Sequence, residues 1–352
     1  MKKLLLLIPA AILILSGCVV NIKTSGGVDG GVYKSDNSGD LWEQATLVYR
    51  VGDVVKTFST VDLSAMVLDP TDRQAIYIGT EEKGMYYTYD GGVGWHQTLD
   101  NLGRINDIAV SPKERCIIYV AIGNRVYKST DCNRHWNYQL IETRDDPNNQ
   151  INSLTIDGYD TDVIYAGTSG KGLFRSEDGG LSWHAVKFFD GRVAKVLVNP
   201  NDTRVIYAAT DDKGIFKSSD RGASWRDLLT KQLREDKENL EIYRDLILDP
   251  TVSDGILYAS QYGLLRSADG GNTFEEIPLL TPPSTTAIYS LAINPRNGQE
   301  MYYGIATALY RSIDGGQNWT TRALPSSRAA RFLLIDPEEP ARLYLGVKKI
   351  KK

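Results

Sequence analysis

The sequence predicts an all-β fold: a seven-bladed β-propeller of four-stranded antiparallel blades, closed by a blade shared between the N- and C-terminal ends. Three observations predict it. A Gly-apolar-apolar-Arg/Lys segment running into Ser-x-Asp-x-Gly-x-x-Trp recurs seven times. Its copies start at Ser35, Thr88, Ser129, Ser176, Ser218, Ser267 and Ser312, spaced 53, 41, 47, 42, 49 and 45 residues apart. A second unit alternates with it, an apolar run with Asp-Pro or a variant and then Ile-Tyr-x-Gly-Thr or a variant, again seven times. Finally, the series begins with the first unit and ends with the second. Strand-rich repeats of this period indicate propellers or solenoids, and four-stranded units around an axis are propeller blades. Seven halves of each kind close a ring if residues 330–347 complete a blade with residues 29–50, which leaves no orphan sheet edge. Six or eight blades would leave half a blade over.

In chain order, residues 1–17 read as a signal peptide: Lys2-Lys3, then an apolar run over residues 4–15 that is short for a membrane span. The run ends in Leu15-Ser16-Gly17-Cys18, which resembles the lipobox of bacterial lipoproteins. That resemblance implies acylation of Cys18, export, and anchoring to the cell envelope, at the outer membrane if there are two; an ordinary secretory signal with a chance Cys is the other reading. Several acyl chains on one Cys anchor firmly, since each buried CH₂ adds about 0.8 kcal/mol. Residues 18–28 form a polar tether, residues 29–347 the propeller, and residues 348–352 a basic tail, Lys348-Lys349-Ile350-Lys351-Lys352.

Within each blade the order is strand A before Asp-Pro, B at Ile-Tyr, C before Ser, and D at Trp. Pro just after strand A ends the ladder at a turn, where its missing N–H costs nothing. In the C–D turn, Ser and Asp side chains accept from the turn's own N–H groups. Gly supplies a positive φ, and Trp fills the space under the turn with a large buried ring. All six Trp residues occupy that position: Trp42, Trp95, Trp136, Trp183, Trp225 and Trp319; the copy at Ser267 has Phe274. Asn37 stands for Asp in the first copy and Asn133 for Gly in the third, and Asn tolerates the left-handed region.

These turns resemble the Asp-box, or BNR, repeats of sialidase-, sortilin- and xyloglucanase-type propellers and of photosystem II assembly-factor-like proteins. The resemblance covers nearly the whole mature chain. It implies that the boxes lie on the face away from the binding site, so that Asp90, Asp131, Asp178, Asp220, Asp269 and Asp314 are structural. It does not choose an activity, because one repeat serves enzymes, receptors and assembly factors.

Net charge is −4, or −6 without Lys2 and Lys3, so there is no basic footprint for nucleic acid. The basic tail is either solvated or drawn to an anionic lipid or polymer. His96, His135 and His184 each adjoin a box Trp in a different blade. They cannot converge on one site, which removes His-based nucleophilic chemistry and a His zinc site; no metal and no cofactor is expected. Cys116 and Cys132 belong to strand B and the box turn of one blade, where a hairpin turn at Gly123-Asn124 would bring them opposite each other. A disulfide and two free thiols both remain open.

Function is expected on the other face, built by the D-to-A and B-to-C loops. The long D-to-A connections are residues 46–62, 139–151, 229–243 and 278–287, of which Lys231 to Glu241 reads as a rim helix or a solvated loop. The residues opening strand A should ring the channel mouth: Arg104, Asn106, Asn152, Arg192, Arg244, Tyr289 and Arg331. Four Arg there would bind a carboxylate or acidic peptide by forked hydrogen bonds. The alternative is that each pairs with a nearby acid such as Asp107, Asp190 or Asp245. For glycoside hydrolysis, which needs a carboxylate pair, the candidates are Asp211 and Glu81. Asp211 follows a segment resembling the acid-bearing strand end of xyloglucanase-type enzymes, but those build their cleft between two propellers. The sequence thus favours a non-enzymatic, monomeric scaffold for an envelope protein or polysaccharide, with a xyloglucanase- or sialidase-like hydrolase as the alternative.

Overall fold

A computed structural model describes residues 28–141 and 149–350. The leader, Cys18 and most of the tether lie outside them, as do Lys351 and Lys352. Seven four-stranded antiparallel sheets are present, each in the order A-B-C-D. The A strands are Leu63–Asp69, Asp107–Val110, Ile151–Ile156, Val193–Val198, Tyr243–Leu248, Ser290–Asn294 and Ala329–Ile335, numbered here as blades 1 to 7. Each A strand packs against the next, and that of blade 7 against that of blade 1, so the ring is closed. Blade 7 takes A and B (Leu343–Lys348) from one end of the chain and C (Val32–Ser35) and D (Glu43–Gln44) from the other. Val32 to Ser35 pair in register with Gly346 to Leu343. Lys348, assigned to the tail from sequence, instead ends strand B and pairs with Ala329.

Burial falls from the middle of each blade outward. The B-strand residues Ile-Tyr are packed on both faces by neighbouring blades, and Tyr77, Tyr119, Tyr165, Tyr207, Tyr258, Tyr302 and Tyr344 are at most 1% exposed. Strand D is outermost and largely in solvent. That corrects one expectation about the box tryptophans. Trp95 and Trp319 are buried, but Trp42, Trp136, Trp183 and Trp225 are half-buried, because their outer side has no further strand to cover it.

The box turns use one hydrogen-bond set. The Ser or Thr hydroxyl donates to the Asp or Asn side chain (2.6–3.0 Å) and accepts the N–H of the fifth residue (2.8–3.2 Å). Two successive residues take positive φ, not one: Ser38/Gly39, Cys132/Asn133 and Arg221/Gly222 do so like the Gly-Gly copies. Hydrogen bonds hold the exposed carboxylates low. The Ser182 hydroxyl and N–H bring Asp178 to about 2, those of Ser224 bring Asp220 to about 2, and the N–H and side chain of His135 and of Asn318 do the same for Asp131 and Asp314.

The motif's basic residue, unexplained by sequence, joins blades in three copies, whereas Lys34, Arg266 and Arg311 pair with acids of their own blade. Lys128 Nζ and Tyr119 Oη of blade 2 both donate to Gly179 O in the box of blade 3, at 2.9 and 3.1 Å. Lys217 reaches Gly270 O of blade 5 at 3.1 Å, and Arg175 reaches Arg221 O of blade 4 at 3.3 Å. Tyr344 of blade 7 makes the equivalent bond to Gly91 O of blade 1 at 3.2 Å, across the seam. Cys116 and Cys132 of blade 2 are joined by a disulfide, with Cα atoms 4.0 Å apart.

The seam is also clasped by Arg328, 3% exposed. It donates to Asp29 Oδ1 (3.3 Å), Thr60 O (3.0 Å), Val61 O (2.8 Å) and Asp62 Oδ1 (2.9 Å), tying the N-terminal segment to the loop entering blade 1. A Cβ at Gly30 would fall 2.3 Å from its Nη1, so only glycine fits there.

Two D-to-A connections contain structure. Residues 46–62 hold a hairpin, Leu47–Val51 with Val54–Thr57, where the sequence reading had only a long loop; Gly52 at φ +58° turns it between β-branched flanks. Lys231–Asp236 is a helix, shorter than the charged stretch, capped by Thr230 accepting from Leu233 N.

Two outcomes are expected. Arg328→Met leaves two carboxylates and two carbonyls without their donor and lowers unfolding free energy by roughly 2–4 kcal/mol in urea melts. The box carboxylates have folded pKa values below their unfolded ones, so their stabilisation is complete above about pH 4 and is lost as pH falls through about 2. Asp178→Asn keeps the acceptor, as Asn37 does in the first copy, but removes the titration. Its melting temperature therefore falls less between pH 5 and 2 than that of the wild type, followed by circular dichroism.

Candidate functional site

A β-bulge builds the channel mouth. In blades 1, 3, 4, 5 and 7 the A–B pairing skips one A-strand residue: Ser64, Asn152, Ala194, Arg244 and Arg331. In blades 2 and 6, Asn106 N and Tyr289 N donate at 2.8 Å to the carbonyls of Ala121 and Gly304, the residues paired with Asp107 and Ser290. Bulges commonly re-aim a side chain at a functional rim. Here they occupy one level of the ring in every blade.

The mouth opens on a cavity of about 340 Å³. Of the seven sequence candidates, Arg104, Asn106, Asn152, Arg192 and Arg331 line it. Arg244 and Tyr289 hold the same bulge position but do not line it: Arg244 Nη2 turns to Gln261 Oε1 at 2.7 Å. Lys195, not Arg244, is the fourth lining cation, and Asp107, Asp211, Tyr243 and Asp245 complete the polar wall.

The pairs differ from those expected. Asp107 and Asp245 do not engage the arginines. Each accepts the N–H of the next residue (2.9 Å) and an N–H of the next blade's A strand, Leu154 at 2.8 Å and Leu291 at 3.1 Å. They are stitches between blades. Arg192 Nε donates to Asp211 Oδ2 at 2.6 Å, and Arg104 Nε lies 3.5 Å from Glu81 Oε2, whose other oxygen takes Lys348. Arg331 Nη1 donates to Tyr289 O at 2.8 Å. Asn106 Nδ2 is buried without a protein acceptor.

Burial raises the Asp107 carboxyl, with Lys195 opposing; half-buried by area, it faces the enclosed channel and not open water. Burial, reinforced by Asp245, raises Tyr243. Ile247, Leu291, Leu333 and Leu334 form an apolar waist shared with a second cavity of about 440 Å³ on the box side. Over blade 2 a groove of about 420 Å³ shares Arg104, Asn106 and Gln150 with the mouth and runs out to Arg125, which lies 5.1 Å from the Tyr138 ring centroid.

The histidines stay on the box side. His135 bonds Asp131 and His96 stacks on Tyr87, with centroids 5.3 Å apart. Among the described residues no three His, Cys, Asp or Glu side chains are placed to share a metal ion.

Fold and mouth together define a single-ring β-propeller with a mixed-charge, cation-rimmed channel. No family model matches the sequence. It is 26% identical over 163 residues to a xyloglucanase of a Paenibacillus species, and 25% identical over 202 residues to xyloglucanase Xgh74A of Acetivibrio thermocellus. Each match takes in 45% of this chain but only 13% and 23% of the relative's length. Among solved structures, a GH74 xyloglucanase of Xanthomonas campestris superposes with TM-score 0.68 and 21% identity, over 82% of this chain and 51% of its own. YCF48 from Cyanidioschyzon merolae gives 0.62 and 15%, over 82% of this chain and 96% of its own. YCF48 bound to D1 peptide gives 0.61 and 16%, over 83% and 94%. At these identities the structural likeness establishes the fold.

The Asp107 environment yields a measurable expectation. Lys195→Met removes the opposing cation, so the Asp107 carboxyl, followed by ¹³C NMR, titrates at a higher pH than in the wild type, where it already lies above the usual range.

Proposed function

We propose that the chain is a non-enzymatic binding scaffold of the cell envelope, whose channel mouth takes an acidic segment of a protein or polysaccharide. The observation that carries this reading is the mouth itself. Arg104, Arg192, Lys195 and Arg331 converge on one cavity, and Asn106 offers a buried donor without a partner. Asp107 and Asp245 are tied up by backbone N–H groups. The remaining cationic donors are suited to a ligand's carboxylates. The YCF48 likeness supports the reading, since those structures are matched over nearly their whole length and one of them holds a peptide.

The second reading, a glycoside hydrolase, is favoured by the xyloglucanase relatives. It would use Asp211 and Glu81. Both are held by arginines of the mouth, and a hydrolase would have to free one of them to carry a proton.

The test is binding of a fluorescein-labelled oligo-glutamate peptide. Arg192→Ala combined with Arg331→Ala is expected to weaken binding at least about tenfold, and the wild-type affinity to fall with salt. Equal affinities would overturn the scaffold reading at this mouth. In parallel, release of reducing ends from xyloglucan that vanishes in Asp211→Asn would establish the hydrolase.

A further inference from the structure

Three features meet at one corner of the ring that the channel mouth does not use. The first is the hairpin Leu47–Val51/Val54–Thr57. Tyr49 pairs with Lys56 and Val51 with Val54, so Tyr49, Val51, Val54 and Lys56 share one face. That face is uncovered: Tyr49 is 47%, Val51 69% and Val54 62% exposed, and Lys56 Nζ lies 5.9 Å from the Tyr49 ring centroid. Arg50 is exposed on the reverse face beside Val55. The result is an exposed apolar tip with an aromatic ring and two cations at its sides.

The second feature is the entry of the chain. Gly30 N donates to Ser59 O at 2.7 Å and Gly31 N to Val61 O at 2.9 Å, so the first described residues are bonded to the base of the hairpin. Cys18 precedes residue 28 by ten residues, which span at most about 35 Å. The third is the C-terminal end. Val347 N donates to Gly31 O at 3.2 Å and Lys349 N to Asp62 Oδ1 at 2.7 Å, next to the Arg328 clasp. The basic tail therefore leaves from the same corner, with Lys351 and Lys352 following in sequence.

We propose that this corner is a docking surface for an anionic lipid bilayer, with the hairpin tip entering the interface and Arg50, Lys56 and Lys349 lying against the head groups. The inference rests on the reading that Cys18 is acylated, which brings a membrane within reach of the hairpin. An acyl chain, an apolar tip carrying an aromatic ring, and a basic cluster are the elements that together hold a protein firmly at an anionic interface. An uncovered apolar face flanked by cations is suited to entering a lipid interface, where the valines and the ring meet acyl chains and the cations meet head groups. Docked in this way, the ring has a fixed attitude, with the mouth beside the membrane: Glu81 pairs with both Arg104 at the mouth and Lys348 at this corner.

The full chain is labelled with an environment-sensitive fluorophore at Val54→Cys, or at Leu181→Cys in the box of blade 3 as control. Cys116 and Cys132 are held in the disulfide and Cys18 is consumed by acylation, or changed to Ser in the tagged unacylated protein, so the new thiol is the reactive one. Each protein is attached to phosphatidylglycerol-containing vesicles by its own acyl chains or, if the mass of the N-terminal residue shows none, by an N-terminal histidine tag on chelating lipid. The mass tests the acylation reading and the fluorescence tests the docking, so the two fail separately. The expected result is a blue shift and quenching by spin-labelled lipid at position 54 and neither at 181, with the position-54 signal reduced when Arg50 and Lys56 are changed to Glu. No quenching at 54, or equal quenching at both positions, overturns the proposal. So does a blue shift that arises only when envelope proteins are added, which would assign the hairpin to a protein partner.

Discussion

The pairing of Val32–Ser35 with Leu343–Lys348 is the constraint on which the rest of the molecule depends. Every other blade is contiguous in sequence and can form its four strands from neighbouring residues. Blade 7 alone requires the two ends of the chain to meet, at an entropic cost that grows only with the logarithm of the separation, about 5 kcal/mol for some 300 residues. Four backbone pairs, the Tyr344–Gly91 bond and the Arg328 clasp offset that cost. Without them, blade 1 and blade 6 would each expose a face built to be covered, with Leu63, Ile76 and Leu309 among the residues left open.

The same logic runs around the ring. A blade does not bury its own box turn; its neighbour does. Tyr119 and Lys128 reach forward to Gly179, Lys217 reaches Gly270, and Tyr344 reaches Gly91. The A strands are stitched in the same direction by Ser64, Asp107 and Asp245. Position in the ring is thus specified by polar contacts, while cohesion comes from the packed Ile-Tyr strands. The mouth inherits this arrangement, because its bulges sit at the level of the stitches and its cations project from strands fixed on both sides.

Much of the fold was legible because the repeat states it seven times. The box, the Asp-Pro turn and the Ile-Tyr strand each carry a local mechanism, and counting the halves gave both the blade number and the shared blade. What could not be read were features without a local signature. A bulge adds one residue without demanding a special type, so Ser64 and Ala194 occupy the same structural position as Arg331 and drew no notice. Asp107 and Asp245 looked like partners for arginines, because sequence proximity does not reveal that their carboxylates point at the next strand. The 46–62 connection resembled a loop because its hairpin faces solvent and lacks the alternation that a half-buried strand would show. Lys128, Arg175 and Lys217 before the box Ser were visible but mute, their acceptors lying some fifty residues away in another blade.

One feature reaches past the seam. Residues 28–31 and 347–349 leave the ring side by side, joined through Gly31, Asp62 and Arg328. A few added residues could splice them into a continuous circle. The circle could then be cut at any exposed B-to-C hairpin, giving a rearranged chain with the same architecture in which a different blade is assembled last. Comparing such rearranged chains would separate what the blades owe to their own residues from what blade 7 owes to its place in the reading order.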